Sequence, residues 1–181
     1  MIEAAALPIF ATHGYPDARL EDIAAAAEVT KQLLYRYFPS KKGLFLAVLA
    51  RQQHELLGQL AGDLSAEAPP GPRIEHALDR WLAFIQTRPL AASVLFRDTT
   101  GDPEIHAAYR RMQAEARGAI AASIARTDPP VDGELIDALA EIVRAGSVGA
   151  ALWWIEHPEV PRAAMLELIL AVFQPGRRGA D

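Results

Sequence analysis

The chain has 181 residues, 51% apolar and 23% charged, with 18 basic against 23 acidic side chains and a formal charge of −5. Its length is near the prior for one domain and sufficient to bury roughly two-thirds of the unfolded surface, and its composition excludes a disordered or collagen-like polypeptide. The absence of cysteine excludes a disulfide framework, a thiolate metal site and a cysteine nucleophile.

Apolar residues recur at helical spacing in almost every segment, with no sustained period-two run, so the fold class is all-α with about nine helices. Ile2, Ala6, Ile9 and Phe10 mark a first helix ending at His13-Gly14, with Gly14 as a left-handed cap and Pro8 in the interior. A short second helix covers about Leu20 to Ala27, and a third begins after the capping residue Thr30 and runs to Phe38. Pro39-Ser40 stops it and Ser40 caps a long fourth helix carrying Leu44, Val48, Leu56, Leu60 and Leu64.

Ala66 to Arg73, with three prolines, reads as a flexible break. A fifth helix follows through Ile74, Leu78, Trp81, Leu82 and Ile85, and Pro89 opens a short sixth with Val94 and Leu95 inward. Asp102-Pro103-Glu104 is a start signal for a seventh helix, joining a side-chain cap, a fixed φ and a carboxylate at the positive helix end. Residues 132–157 form an eighth and Pro161 opens a ninth, through Met165, Leu168, Ile169, Val172 and Phe173. Residues 177–181 read as a loose tail.

No stretch approaches the roughly 18 apolar residues of a membrane span. Glu3 stands where a signal peptide carries basic residues, so a cytoplasmic, non-membrane protein is expected. Charge is divided: residues 1–54 hold six basic and five acidic side chains, and all three lysines (Lys31, Lys41, Lys42) fall within twelve positions. Such a cluster suits phosphate binding.

The second and third helices, joined by Ala26-Ala27-Glu28-Val29-Thr30, have helix-turn-helix spacing, in which the second helix enters the major groove of DNA. Ile23, Ala24, Ala27, Leu34 and Phe38 are placed inward, leaving Thr30, Lys31, Gln32, Leu33, Tyr35 and Arg36 to project outward. Gln and Arg pair with base edges, Tyr bonds phosphate or touches a thymine methyl, and Lys neutralises phosphate. Lys41 and Lys42 combine ammonium groups with helix-end amides as a phosphate clamp.

The segment Ile2 to Leu49 resembles the DNA-binding domain of TetR-family transcriptional regulators. The resemblance rests on Phe10-Ala11-x-x-Gly14-Tyr15, Asp22-Ile23-Ala24-x-x-Ala27-x-Val29-x-Lys31, Leu34-Tyr35-Arg36-Tyr37-Phe38-Pro39-Ser40-Lys41 and Leu44-Phe45. It implies a helix-turn-helix domain over residues 1–47, a helical ligand-binding and dimerisation domain over 48–176, and a homodimeric repressor released from a palindromic double-stranded DNA operator by a small hydrophobic or amphipathic effector. Thr30, Lys31, Gln32, Leu33 and Tyr35 fall where family members contact bases and neighbouring phosphates, and Tyr37 and Lys41 fall on phosphate-contact positions. The chain departs from the family in starting almost inside the first helix, so that contacts by a basic or polar arm are missing or the start is incomplete, and in carrying Ala18 and Arg19 where Ser or Thr often caps the second helix. Arg19 reaches toward phosphate instead. Glu28 replaces a common turn glycine and sets an acid near DNA.

In the C-terminal part, Ala145-Gly146-Ser147-Val148-Gly149-Ala150 forms a small-residue surface on which, with Leu168, Ile169, Val172 and Phe173, a four-helix dimer interface can form. Trp81, Phe84, Ile85, Phe96, Tyr109, Met112, Trp153 and Trp154 are candidate walls of an effector cavity, with Arg97, His106 and Gln113 as polar anchors. No cofactor or metal is expected. Nor is an enzyme: there is no phosphate loop, zinc-protease signature or nucleophile elbow, and the five histidines are scattered. The alternative function is a helical adaptor that keeps the packing without binding DNA.

Overall fold

The computed structural model describes residues 1–64, 70–97, 101–126 and 131–173, and among them the regular elements are nine α-helices without a strand. The chain divides into two compact units, one made of Met1–Glu55 with Arg88–Met112 and the other of Leu56–Thr87 with Gln113–Asp181.

In the first unit, α1 (Ile2–Asp17) buries Ile2, Ala6 and Phe10 at four-residue intervals, the spacing that puts side chains on one helix face. Pro8 leaves the Ala4 carbonyl without its helical donor, and both residues are exposed, so that carbonyl faces water. Gly14 has positive φ, as expected, but its ψ of 167° is extended rather than left-handed helical. This is a conformation essentially reserved for glycine, and it turns a corner into Tyr15–Asp17 instead of closing a cap.

The short helices α2 (Leu20–Ala26) and α3 (Lys31–Tyr37) follow. Between them Glu28 N–H donates to the Ala25 carbonyl and Val29 N–H to the Ala24 carbonyl, each at 3.0 Å, which is the paired bonding of a Schellman turn. That turn needs a left-handed residue, and Glu28 supplies it at φ 53°. A side chain in that region costs about 1–2 kcal/mol, part of which glycine would return through its greater freedom in the unfolded chain. Glu28→Gly is therefore expected to stabilise the protein by about 0.5–1 kcal/mol. A thermal melt should show it as a rise of about 1–4 °C.

Thr30 caps α3, its hydroxyl accepting from Leu33 N–H at 3.2 Å, and Ser40 caps α4 (Lys41–Leu64), accepting from Gly43 N–H at 3.0 Å. The core of this unit joins Ile23, Leu34, Leu44, Phe45 and Val48 with Ala91, Ala92, Val94 and Leu95 of α6 (Pro89–Phe96), and Ile105 and Tyr109 of α7 (Pro103–Ile124). Pro89 occupies the first turn of α6, where its missing N–H has no helical partner to lose. Asp102 caps α7 as its sequence predicts, accepting from Glu104 N–H at 2.9 Å and Ile105 N–H at 3.3 Å.

The second unit contains α5 (Pro70–Thr87), α8 (Gly133–Glu156) and α9 (Arg162–Phe173), with α5 packed on both of the others. Helix α5 starts at Pro70, inside the segment expected to be a break, because a proline in the first helical turn loses no intrahelical bond. The remainder of the expected break, at 66–69, lies outside the described residues, as does the expected tail at 177–181. Leu82, Phe84 and Ile85 of α5, Ala140, Ala151 and Trp154 of α8, and Met165, Ile169 and Leu170 of α9 are buried. Trp154 Nε1–H donates to the Val160 carbonyl at 2.8 Å, and Arg162 pairs with Asp79 at 3.0 Å. Among the described residues no helix is long and apolar enough to cross a membrane.

Candidate nucleic-acid interface

One face of α3 is anchored and the other is open. Leu34 is fully buried, whereas Thr30, Lys31, Gln32, Leu33, Tyr35, Arg36 and Tyr37 are all exposed. The open side thus offers an amide, a guanidinium, an ammonium and two phenols along two helical turns, the hydrogen-bonding inventory that reads base edges and phosphates. Arg19 is exposed at the N-cap of α2 and makes no side-chain cap bond there.

The lysines are organised by partners that the local sequence pattern did not show. Lys31 forms an ion pair with Glu21 of α2 and stands 5.8 Å from the centre of the Tyr35 ring. Their hydrogen bond raises the Lys31 ammonium and lowers the Glu21 carboxyl from their ordinary ranges, so both are charged at neutral pH. Lys41 Nζ donates to the carbonyls of Pro16 at 2.8 Å and Ala18 at 3.1 Å, and lies 4.8 Å from the centre of the Tyr15 ring. It thereby ties the corner that follows Gly14 to the start of α4. Lys42 pairs with Glu104 at 2.7 Å and Asp102 at 3.6 Å. Burial by itself would raise the Asp102 carboxyl, but the amides of Ile105 and Glu104 together with Lys42 outweigh it and hold the group below the usual carboxylate range. The clamp expected of Lys41 and Lys42 therefore consists of ammonium groups already engaged within their own unit.

Residues 2–48, the segment that builds this surface, match the family described as bacterial regulatory proteins, tetR family. That segment belongs to the TetR family. The transcriptional activator FasR of Mycolicibacterium smegmatis is 27% identical over 154 residues, a match covering 84% of this chain and 70% of FasR. In fold, the chain is similar to a TetR-like transcriptional regulator from Rhodococcus sp. RHA1, with TM-score 0.86 and 21% identity over 98% of this chain and 94% of that one. It is also similar to the transcriptional regulator FadR of Bacillus subtilis, solved in complex with stearoyl-CoA, with TM-score 0.79 and 13% identity over 94% and 96% of the two chains. The protein is a DNA-binding transcriptional regulator, and its relatives are regulators rather than enzymes.

The candidate effector residues divide between the units. Phe96, Arg97, His106, Tyr109 and Met112 belong to the first, whereas Trp81, Phe84, Ile85, Gln113 and Trp153 belong to the second. Phe84 and Ile85 are buried, Trp81, Phe96 and Met112 are half-buried, and Arg97, His106 and Gln113 are exposed. Tyr109 is buried, its hydroxyl donating to the Val94 and Arg97 carbonyls. Trp154 belongs to the core, but Trp153 is 48% exposed and stacks on His157 with ring centres 4.0 Å apart. Arg97 and Tyr109 do come together, lining a cavity of about 200 Å³ whose other walls come from α1, α4 and α6. Sequence reading missed the α1 contribution, because Thr12, His13 and Tyr15 follow no helical apolar pattern.

A second exposed surface runs along α8 and α9. On α8, Leu135, Ala138, Ile142, Ala145, Gly146, Gly149 and Trp153 are exposed and recur at three- and four-residue steps. On α9, Ala164, Leu168 and Val172 do the same. A methyl group added at Gly149 would meet no atom within 4 Å.

Proposed function

We propose that the protein is a homodimer that reads a two-fold palindromic operator with paired α3 helices and leaves it when a small hydrophobic or amphipathic effector binds. It represses wherever that operator overlaps a promoter. The observation that carries the reading is α3 itself, held by the Thr30 cap and the buried Leu34, with its polar and aromatic side chains exposed.

Thr30, Lys31, Gln32, Leu33, Tyr35 and Arg36 contact base edges and adjoining phosphates, and Arg19 and Tyr37 contact phosphate. Lys41 and Lys42 act chiefly as braces, holding the ends of α1 and α7 from the first turn of α4. The unpartnered apolar stripe on α8 and α9 favours the dimer, because two such helix pairs related by a two-fold axis bury each other as a four-helix interface. An amphipathic effector is supported by the aromatic and apolar candidates Trp81, Phe84 and Ile85, and by the stearoyl-CoA bound to the similarly folded Bacillus subtilis regulator. Release follows if the effector prefers a dimer with different α3 spacing, and its leverage is limited to that difference in affinity. A chromosomal operator places the protein in the cytoplasm.

The test is capture of sheared genomic DNA from the source organism on purified protein at two salt concentrations, beside a Lys31→Ala/Tyr35→Ala variant. Wild type is expected to enrich a short palindrome, and the variant to bind it at least about tenfold more weakly with a salt slope smaller by about one. Failure of the folded dimer to enrich any duplex at either salt would favour the adaptor reading.

A further inference from the structure

The ion pair between Lys31 and Glu21 spans the helix-turn-helix, from the first residue of α3 to the first turn of α2. Its side chains are 56% and 49% exposed, and a pair that open to water contributes little to stability. What distinguishes it is its place. Lys31 shares the open face of α3 with Gln32, Tyr35 and Arg36, and Arg19 is exposed at the N-cap of α2. Glu21 is thus a carboxylate among the cations offered to DNA. The hydrogen bond from Lys31, and after it the bond from its own backbone N–H, lower its pKa, so that it is ionised at neutral pH.

A phosphate makes the same demand on an ammonium group as a carboxylate does, a charge-assisted hydrogen bond at close range. The ammonium has three donors, but a phosphate received beside Glu21 would stand roughly 5 Å from the carboxylate, where like charges repel even in water. Docking therefore either opens the pair or crowds two anions about one cation. Both weaken the complex, and neither depends on base sequence. The Tyr35 ring, 5.8 Å from the ammonium, remains a cation-π neighbour for Lys31 when the pair opens.

We propose that Glu21 is a working part of the DNA-reading site, a built-in competitor of phosphate for Lys31 that weakens binding to every duplex and leaves the protein loosely held where phosphates are all that DNA offers. This rests on the DNA-reading function, and the sign of the effect separates it from a brace. Removing a carboxylate that merely aimed Lys31 at DNA would weaken binding, whereas removing a competitor strengthens it.

The test is the binding of an unrelated duplex of about 30 base pairs to wild type, Glu21→Gln, Lys31→Gln and the double variant, followed by fluorescence anisotropy between about 50 and 200 mM salt. Glu21→Gln keeps the size of the side chain and removes its charge. It should tighten binding about three- to tenfold at the lower salt and steepen the salt slope by up to about one. In the Lys31→Gln background the gain should shrink at least about twofold, because no ammonium is released and only the repulsion between Glu21 and phosphate is relieved. The melting temperature of Glu21→Gln should stay within about 2 °C of wild type, so that binding and not folding accounts for the gain. The proposal is overturned if the gain is below about threefold, or if it is as large without Lys31 as with it. If neither wild type nor Glu21→Gln binds the duplex at the lowest salt, the DNA-reading function itself fails, and the proposal with it.

Discussion

Ile142→Glu is expected to convert the proposed homodimer to a monomer and to weaken binding to the full palindrome at least about a hundredfold, the avidity lost when two linked contacts become one. Ile142 is 61% exposed at the middle of the α8 stripe, between the small residues Ala138, Ala145 and Gly146. An apolar side chain of that size in open solvent, within a stripe of exposed residues that allow close backbone approach, fits the covered face of the proposed dimer. In an isologous interface each residue near the axis lies close to its own symmetry mate, so one substitution places two like charges together out of water. Because the position is exposed in the single chain, folding of the protomer should be unaffected. Sedimentation or light scattering reads the oligomeric state and thermal melting the fold. A variant that stays dimeric would move the interface off α8.

Adjacent leucines on α3 should respond in opposite ways. Leu34 is fully buried and Leu33 is 37% exposed. Leu34→Ala removes a packed side chain and should cost about 2–5 kcal/mol, a fall in Tm of roughly 4–20 °C for a chain of this size. Leu33→Ala should stay within about 0.5–1 kcal/mol, as surface substitutions do, while weakening operator binding because its apolar contact with a thymine methyl is lost. Paired melting and binding curves check the rotational register of α3. Equal destabilisation by both substitutions would show that the helix face assigned to DNA is wrong.

The helices were legible because their signals are local. Thr30, Ser40 and Asp102 were all in place as caps, and each accepts the expected amide. Inward and outward positions on α3 followed from a period of 3.6 residues. What escaped was either conformational or long-range. Gly14 announced a positive φ, but nothing local separates a helix cap from the extended corner it forms. The prolines near residue 70 looked like a break because proline ends one helix and opens the next with the same chemistry. The partners of Lys42 could not be read locally because Asp102 and Glu104 lie some sixty positions away and meet it only after α6 and α7 fold back. The cavity beside α1 was hidden for the same reason, since its walls come from four separate helices.

The dimeric DNA reader is tested most directly by comparing affinity for the captured palindrome with affinity for a duplex carrying one half-site and neutral flanks, at fixed salt. If two α3 helices are presented about one duplex turn, roughly 34–36 Å, apart, the full site should bind at least about a hundredfold more tightly. Equal affinity for the two duplexes, with the protein dimeric in solution, would contradict it.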